Sequence, residues 1–417
     1  MYIIETEEQV EYFINKGYKH AFIHVVPFNN YIHPALNKMS LLYMSSNEED
    51  YLISHAHNES LPLLYTSLTR ILDSIDVLYT INKKDLFYYF STKYNDKIID
   101  LNFTNESIKI NNDSKIYNWY YNKYSLNYLN TAIPLVKHYD YCKNIYNSIK
   151  HLIGKLPISY NEKAPLLFYE IEKQGIKITE NIDKYFKFHN KKFSIKENKI
   201  FTSYNLYTQT KRPSNSFNNV NFLALNKTNG CKSAFVPNND VFVEMDITAY
   251  HPTIISQLIN YDFKGENIHE HFAKLYNSSY KEAKELTFKQ IYGGVFSKYK
   301  DLLFFKKVQN LIDQIWTEYK IKGKFTTESG VEFKGEQLTD TKLFNYVIQE
   351  RETYLNLDFI ESINKILKDK KSKLILYVFD SFLIDLSLDE KEVITEIEKL
   401  FKNKNFEIKI KYKNNLE

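Results

Sequence analysis

The sequence has almost no cysteine, no long apolar run and no strong excess of charge of either sign. Its 417 residues include only Cys142 and Cys231, which are too few for a disulfide framework and lack the spacing of a zinc site. This scarcity is typical of proteins in a reducing cytosol. No apolar run approaches the roughly 18 residues of a membrane span, and the N-terminus is acidic where a secretory signal would be basic. We therefore expect a cytoplasmic protein without a membrane partner.

Charge and composition leave the class of partner open. The chain carries 55 basic and 51 acidic residues, and its net charge of +4 permits nucleic-acid binding without predicting it. Hydrophobic residues make up 43% of the sequence, so the chain can bury large cores and should divide into two or three domains. The sequence contains no internal repeat and no low-complexity tract. Function must therefore be inferred from individual motifs.

Residues 1–153 alternate short strands and helices, which predicts an α/β domain. Strands are expected in AFIHVV and KMSLLYM, and amphipathic helices in SLPLLYTSLTRILDSI and YCKNIYNSIKHLI. The segment 154–165 contains the Gly, Pro and Asn typical of a connection, and the next helix, PLLFYEIEKQG, has Gly175 as its expected C-cap. From residue 241 the order is strand, several helices, strand pair, helix and strand. This order predicts an α+β layer with both ends in one sheet.

The stretch VFVEMDITAYHPTIISQLIN changes period in its middle. Up to Asp246 it is patterned as a strand, and from Ala249 as a helix with Pro252 in the first turn, where proline is tolerated. An acidic residue at the end of an apolar strand has two interpretations, a surface turn or a metal ligand. This motif alone does not decide between them.

A second carboxylate stands in LILYVFDSFLIDL. Two apolar runs flank Asp380-Ser381, which predicts a β-hairpin with these residues as its two-residue turn. Aspartate is common in hairpin turns, so the position alone is no proof of a site. Strands of one sheet can nevertheless bring Asp246 and Asp380 to the same edge. Two adjacent carboxylates repel each other unless they share Mg²⁺, an arrangement that phosphoryl transfer uses.

The helix predicted for YKEAKELTFKQIYGG carries an unusual stripe. Tyr280, Lys284, Phe288 and Tyr292 recur every four residues and lie on one face. An aromatic stripe usually belongs to a core. A lysine within it needs a partner for its charge, and a nucleoside triphosphate would supply that partner while the rings face a base.

Together these and other stretches resemble the family A DNA polymerases, of bacterial polymerase I type, over most of residues 165–417. PLLFYEIEKQGIKI resembles the segment that opens the polymerase region, and TQTKRPSNSFNNVNF resembles T-G-R-x-S-S…P-N-L. KSAFVPNNDVFVEMD resembles the R-x-A-F lead into motif A, and NIH resembles the D-I-H before the fingers helix. YKEAKELTFKQIYGG aligns without gaps to R-x-x-x-K-x-x-x-F-x-x-x-Y-G, NYVIQ resembles N-x-x-x-Q-G, and VFDS stands where V-H-D-E would be. The shared order makes the resemblance specific.

The resemblance implies an α+β fold: a right-hand palm and fingers polymerase domain with a reduced thumb, after an α/β ribonuclease H-like domain of exonuclease type. The implied division is 1–153 for the exonuclease-like domain, 154–240 for the thumb and entry to the palm, and 241–417 for palm and fingers, with the fingers at 264–340. The implied activity is template-directed DNA synthesis, with primer-template nucleic acid and deoxynucleoside triphosphates as partners. A processivity or replication partner would compensate for the short thumb.

The resemblance also assigns site residues. Two Mg²⁺ ions, for which Mn²⁺ can substitute, would be held by Asp246, Asp380 and the Ile247 carbonyl. The residues expected to contact the nucleotide are Lys284, His269, Phe288, Tyr292, His251 and Lys281. The residues expected to line the primer-template path are Arg212, Asn219, Asn345 and Gln349.

Several positions depart from the family pattern. His251 stands where a glutamate would block the ribose 2′-hydroxyl, and Tyr280 stands where an arginine would contact the triphosphate. The other departures are Lys211 and Glu350 in place of glycines, and Phe379 and Ser381 on either side of Asp380. Because D-S also occurs there in single-subunit phage-type RNA polymerases, a ribonucleotide-accepting polymerase or primase is an alternative. A catalytically inactive nucleic-acid-binding homologue is a second alternative.

The N-terminal domain resembles the 3′–5′ exonuclease of this family more faintly. His24 and Val26 stand where its first motif has carboxylates, and Ile145 replaces a further aspartate. Asn82 and Asp85 resemble the second motif with one residue missing. Without these carboxylates we expect an inactive scaffold and a polymerase that lacks proofreading, from a phage, plasmid or similar mobile element.

Overall fold

The computed structural model describes two compact units. The N-terminal unit comprises residues 1–204 and 215–222, and the C-terminal unit comprises residues 205–214 and 223–417. The description covers all residues except 107, 109–113, 125–128, 190–193, 216–219, 223–224 and 226–229. The structure confirms the α+β class. The finer division at residues 153 and 240 stays a prediction.

The N-terminal unit is built on a six-stranded sheet of order β1-β4-β3-β2-β5-β6, in which β3 alone runs against the others. Its strands are β1 (Tyr2–Ile4), β2 (His20–Pro27), β3 (Met39–Ser46), β4 (Glu49–Ser54), β5 (Val77–Thr80) and β6 (Ile98–Asp100). Its helices are α1 (Glu7–Asn15), α2 (Tyr65–Asp73), α3 (Lys83–Tyr89), α4 (Ser114–Tyr124), α5 (Leu135–Ile149), α6 (Ala164–Glu172) and α7 (Ile182–His189). Strands β7 (Ile176–Ile178) and β8 (Lys199–Ile200) form an antiparallel pair.

Both faces of this sheet are buried, which is why its strands are apolar almost throughout. In β2, Ala21 and Ile23 join the cluster that α1 and α2 cover, while Phe22 and Val26 join the cluster that α5 covers. The predicted strands and helices are confirmed. Helix α6 ends earlier than expected: Lys173 caps it, and Gly175 follows with a φ of +60°.

Two buried histidines make the N-terminal unit sensitive to acid. Burial lowers the pKa values of His33 and His138 to about 4. Because the unfolded chain has the higher pKa, it binds more protons, and the stability present above pH 6.5 is lost as the pH falls towards 4. At pH 5 each histidine should cost about 2 kcal/mol of unfolding free energy.

Urea denaturation at pH 7.5 and pH 5.0 measures this loss. The variant His138→Gln should lose less stability between the two pH values than the native chain. Equal stability of the native chain at both values would contradict the prediction.

The C-terminal unit contains an antiparallel sheet of order β15-β16-β12-β17. The strands of this part of the chain are β11 (Phe235–Val236), β12 (Val241–Ile247), β13 (Lys324–Thr326), β14 (Glu332–Lys334), β15 (Lys373–Val378), β16 (Ser381–Leu386) and β17 (Ile408–Lys413). Its helices are α8 (Tyr250–Leu258), α9 (Ile268–Tyr276), α10 (Tyr280–Gly293), α11 (Leu303–Lys322), α12 (Asp340–Ile366) and α13 (Glu392–Asn403). Short strands β9 (Tyr204–Asn205) and β10 (Ser214–Asn215) lie where the chain passes between units.

The pairing of β12 with both β16 and β17 confirms that the two ends of this region share one sheet. This pairing places β12, the first strand of the sheet in chain order, between β16 and β17. The end of β12 therefore lies beside the β15–β16 hairpin and β17. Within the described residues, no helix is both long enough and apolar enough to cross a lipid bilayer.

Candidate active site

Asp246 and Asp380 lie side by side at one edge of the C-terminal sheet. In the pairing of β12 with β16, Asp246 is opposite Ser381, the residue after Asp380. The main chains are joined at this point, since the Ile247 N–H donates to the Asp380 carbonyl at 2.9 Å. Asp246 is half-buried, and Asp380 is exposed at the hairpin tip. The structure therefore brings together the two carboxylates that the sequence analysis singled out.

The hairpin turn is one residue away from its predicted position. Strand β16 begins at Ser381, which pairs with Val378, so the turn consists of Phe379 and Asp380 rather than Asp380 and Ser381. Phe379 adopts a φ of +56°, which is rare for a residue with a side chain. The Asn356 side-chain amide donates to the Phe379 carbonyl at 3.0 Å. A tertiary contact from α12 thus holds the turn that presents Asp380.

Each carboxylate is affected by the other groups of the site. Although the Asp380 side chain is exposed at the hairpin tip, partial loss of hydration around its carboxyl group, followed by the charge of Asp246, raises the pKa of Asp380 to about 6. Burial and Glu244 also raise the pKa of Asp246, while the lysines at 411, 284 and 409 act against this rise. A cation between the carboxylates would relieve their repulsion, and hard carboxylate oxygens suit Mg²⁺. The donor set therefore fits a divalent ion.

The protein supplies only part of a complete coordination shell. Among the described residues, no three His, Cys, Asp or Glu side chains cluster as a metal site. Main-chain, water or substrate oxygens would have to supplement the two aspartates. The predicted contribution of the Ile247 carbonyl stays a prediction.

Helix α10 brings its predicted stripe to this edge. Ser279 and Glu282 form a capping box that fixes the start of the helix. The rings of Phe288 and Tyr292 are stacked, with centroids 6.0 Å apart and planes 9° apart. Lys284 is exposed in the same stripe, and its charge acts on Asp246. The predicted grouping of lysine, aromatic rings and carboxylate is therefore present.

His269, on α9, belongs to the same group. Its ring lies 6.1 Å from that of Phe288 and 5.4 Å from that of Tyr280. Burial, and then the charges of Lys284 and Lys409, lower its pKa to about 4. Its Nδ1 atom is buried and has no hydrogen-bond partner among the described residues. Lys281 is exposed and lies outside the stripe, so its role in nucleotide binding stays a prediction.

His251 is the centre of a hydrogen-bond network. Its Nδ1 contacts the Tyr292 hydroxyl, and its Nε2 lies 2.8 Å from Glu352. Glu352 also accepts from Arg212 at 2.9 Å, and the Arg212 guanidinium lies 3.8 Å from the centre of the Phe379 ring. The sequence predicts separate roles for His251, Tyr292 and Arg212. The structure connects them through Glu352.

Helix α12 supplies one polar face to the site. Asn345 donates to the Tyr292 carbonyl at 2.9 Å, and Gln349 is half-buried one turn further along. The face continues through Glu352 and Asn356, since the spacings of four, three and four residues keep all four on one side of a helix. Sequence analysis missed Glu352 and Asn356, although this spacing from Asn345 was visible.

Two other observations concern the expected nucleic-acid contacts. The Asn345 Oδ1 and Arg212 Nε atoms are buried without a hydrogen-bond partner among the described residues. Lys211 has a φ of +60°, which explains why a glycine suits this position in the family pattern. Asn219 lies outside the described residues.

Strand β17 contributes a further basic side chain, which the sequence motifs do not identify. Lys409 is opposite Asp246 in the pairing of β12 with β17, and its charge acts on both Asp246 and His269. Lys411 and Lys413 on the same strand approach Glu244, at 4.0 and 2.8 Å. In the sequence, the alternating lysines of IKIKYK gave the only signal for this position.

Comparison with known proteins gives a structural match without a sequence match. No protein-family model matches the chain, and no curated protein matches it. Among solved structures, the chain is similar to the POL domain of Pol1 from M. smegmatis in complex with DNA primer-template and dNTP. The TM-score is 0.68 at 11% sequence identity, and the match covers 100% of this chain and 99% of that chain. The chain therefore has the fold of this DNA polymerase domain.

Proposed function

We propose that the protein is a template-directed DNA polymerase that adds deoxynucleotides to a primer 3′-hydroxyl. The observation that carries this proposal is the position of Asp246 and Asp380, side by side at the edge of a sheet, in a chain with a polymerase fold. Two adjacent carboxylates with raised pKa values are typical of a functional site, and a divalent cation between them would relieve their repulsion.

Asp246 and Asp380 would hold two Mg²⁺ ions. When bound, such ions lower the pKa of a hydroxyl nucleophile and stabilise the charge of the leaving pyrophosphate. The protein's part is to hold the two carboxylates in alignment and to limit the rise in the pKa of Asp246. Lys284 and Lys409 favour the ionised form of Asp246, and the bond from Asn356 to Phe379 aligns Asp380.

The groups around the carboxylates suit a nucleotide. Lys284 and Lys409 place positive charge near Asp246 and His269, where a triphosphate would need it. His269 offers a ring nitrogen that has no partner among the described residues. The stacked rings of Phe288 and Tyr292 offer an apolar surface to the base pair being formed.

The expected primer-template contacts are supported by buried polar atoms. A buried polar atom without a partner is costly. The Asn345 Oδ1 and Arg212 Nε atoms have no partner in the part of the chain that the structure describes, so they favour a ligand that satisfies them. Base edges and sugars of the minor groove offer suitable acceptors and donors. Gln349 and Asn219 stay predicted members of this surface.

We also propose that the polymerase lacks proofreading. His24 and Val26 lie on β2, where the exonuclease pattern has carboxylates, and Val26 is buried in the apolar cluster. Ile145 is buried in the same cluster, and Asn82 donates to Asp85 at 2.6 Å. These residues serve packing and local hydrogen bonding, so the N-terminal unit acts as a scaffold.

Primer extension tests the proposed function. A labelled primer on a DNA template should be extended in Mg²⁺ with dNTPs, in the order the template dictates, and should not be shortened when dNTPs are withheld. Extension that ignores the template, or binding of DNA without any extension, would contradict the proposal. The second outcome would favour an inactive nucleic-acid-binding homologue.

A ribonucleotide-accepting polymerase or primase is the second candidate, and His251 is the residue that favours it. In the sequence resemblance it stands where a sugar-excluding glutamate would be, and its Nδ1 contacts the Tyr292 hydroxyl. If this assignment is right, His251→Glu should raise the ratio of dNTP to rNTP incorporation by about tenfold. The measurement is kcat/KM for single-nucleotide addition with matched dNTP and rNTP, and an unchanged ratio would contradict the assignment.

A further inference from the structure

Glu352 is a buried carboxylate with partners on two sides. Its side chain is about 1% exposed, and it accepts hydrogen bonds from Arg212 at 2.9 Å and His251 at 2.8 Å. An isolated buried carboxylate would cost several kcal/mol, so both partners are needed to keep it in this position. Glu352, Arg212 and His251 therefore form one hydrogen-bonded cluster, the Glu352 cluster.

The Glu352 cluster connects both sides of the proposed nucleotide site. On one side, His251 uses its second ring nitrogen to contact the Tyr292 hydroxyl at the end of α10. On the other side, the Arg212 guanidinium covers the ring of Phe379, which precedes Asp380 in the hairpin turn. A single carboxylate on α12 thus links the helix with the aromatic stripe to the turn with a catalytic carboxylate.

The chemistry of the carboxylate fixes the direction of the bond between His251 and Glu352. An ionised carboxylate only accepts, so His251 donates from Nε2 to Glu352. A neutral ring accepts from the Tyr292 hydroxyl at Nδ1 and a protonated ring donates to it, and in both cases the ring is oriented by its bond to Glu352. The orientation of the Tyr292 hydroxyl therefore depends on Glu352, which it does not touch.

We propose that Glu352 is a positioning residue that fixes Tyr292 and the Phe379-Asp380 turn relative to each other. The inference rests on the proposed function, because it assigns Glu352 to the nucleotide site of that reaction. Glu352 touches neither substrate nor metal in this proposal. Its charge acts directly on Asp380 and Tyr292, and it fixes the positions of Tyr292 and the turn through His251 and Arg212. Its loss should impair nucleotide binding and addition more than stability.

The chain offers a matched control in Glu350. It lies on the same helix, is also buried at 3% exposure, and accepts from Ser329. Two residues along a helix correspond to a rotation of roughly 200°, so Glu350 points away from the site. Replacing either glutamate by glutamine removes one buried charge of equal size from α12.

The experiment compares Glu352→Gln with Glu350→Gln in the full chain. Single-nucleotide addition should show kcat/KM for dNTP reduced at least ~10-fold in Glu352→Gln and less than ~3-fold in Glu350→Gln. Adding Tyr292→Phe to Glu352→Gln should have little further effect, because both changes remove the same interaction. Equal losses in the two glutamine variants, or fully additive effects with Tyr292→Phe, would overturn the proposal.

A second readout does not need activity. Hydrogen exchange of peptides covering α10 and the β15–β16 hairpin should be faster in Glu352→Gln than in Glu350→Gln. If the native chain extends no primer while this difference is present, the proposed function fails and the positioning role stands. If exchange is unchanged, the positioning role fails whatever the activity. Should Glu352→Gln not fold, His251→Gln breaks the Glu352 cluster at the histidine. The same comparison of hydrogen exchange, with Glu350→Gln as control, then decides whether the cluster has a positioning role.

Discussion

Replacing Asp380 by asparagine should reduce primer extension by about 1,000-fold or more, because one of two charged metal ligands is lost while the side chain keeps its size. The fold should be unaffected. Partial loss of hydration and the neighbouring Asp246 raise the pKa of Asp380 to about 6, so its charge is unfavourable in the absence of a cation. The metal-free variant should therefore be at least as stable as the native chain. Asp246→Asn should show the same combination of lost activity and retained stability.

Two measurements together test this prediction. Extension rates in Mg²⁺ give the loss of activity, and melting temperatures in EDTA and in Mg²⁺ give the loss of metal binding. Mg²⁺ should raise the melting temperature of the native chain and have a smaller effect on either variant, because a ligand stabilises only the form that binds it.

Glu244→Gln is the control for these substitutions. Glu244 is a half-buried carboxylate on the same strand as Asp246, but its neighbours are Lys411 and Lys413. Its loss should leave most of the activity. Comparable losses in Glu244→Gln and Asp380→Asn would mean that general electrostatics, and not metal binding, sets the rate.

The juxtaposition of the two aspartates could be predicted because it depends on local patterns. Each residue ends an apolar segment with a strand period, and the ends of strands in one sheet meet at an edge. The turn itself was placed one residue too late, because aspartate is a strong turn residue and phenylalanine is not. The tertiary bond from Asn356 stabilises Phe379 in a conformation that its propensity disfavours.

The contribution of α12 could not be predicted in the same way. Glu352 and Asn356 lie in a helix of 27 residues whose amphipathic pattern is weak, and their partners are on distant segments of the chain. Sequence analysis identified Arg212, His251 and Tyr292 one by one through a resemblance. Only the structure shows that they share a carboxylate, because the helical spacing from Asn345 to Asn356 defines one face of α12 but not the distant residues that pack against it.

The same reasoning applies to the positive charge of the site. Tyr280 replaces the arginine of the family pattern, and it is 42% exposed beside His269. Lys409 reaches the neighbourhood of Asp246 and His269 from β17 instead. The sequence of the α10 motif gives no sign of Lys409, because this basic residue lies on a strand far along the chain. Lys284 is therefore the one positively charged residue among the four residues of the stripe. Its replacement should weaken nucleotide binding strongly.

Lys284→Ala should raise KM for dNTP by roughly 30-fold or more, because a charge-assisted contact to the triphosphate is lost. It should also change the pH dependence of the reaction. Lys284 lowers the pKa values of Asp246 and His269, so both should rise when the lysine is removed. The carboxylate must be ionised to bind a metal, and the acid limb of the rate profile should therefore move to higher pH.

Steady-state rates from pH 5 to pH 8 at several dNTP concentrations measure both effects. Lys289→Ala is the control, because Lys289 is an exposed lysine on another face of the same helix. It should leave KM and the pH profile unchanged. Since Lys409 acts on the same two groups, Lys284→Ala with Lys409→Ala should move the acid limb further than either change alone. A lowered kcat with native KM and an unmoved acid limb would show that Lys284 supports the fold of α10 and does not hold the triphosphate.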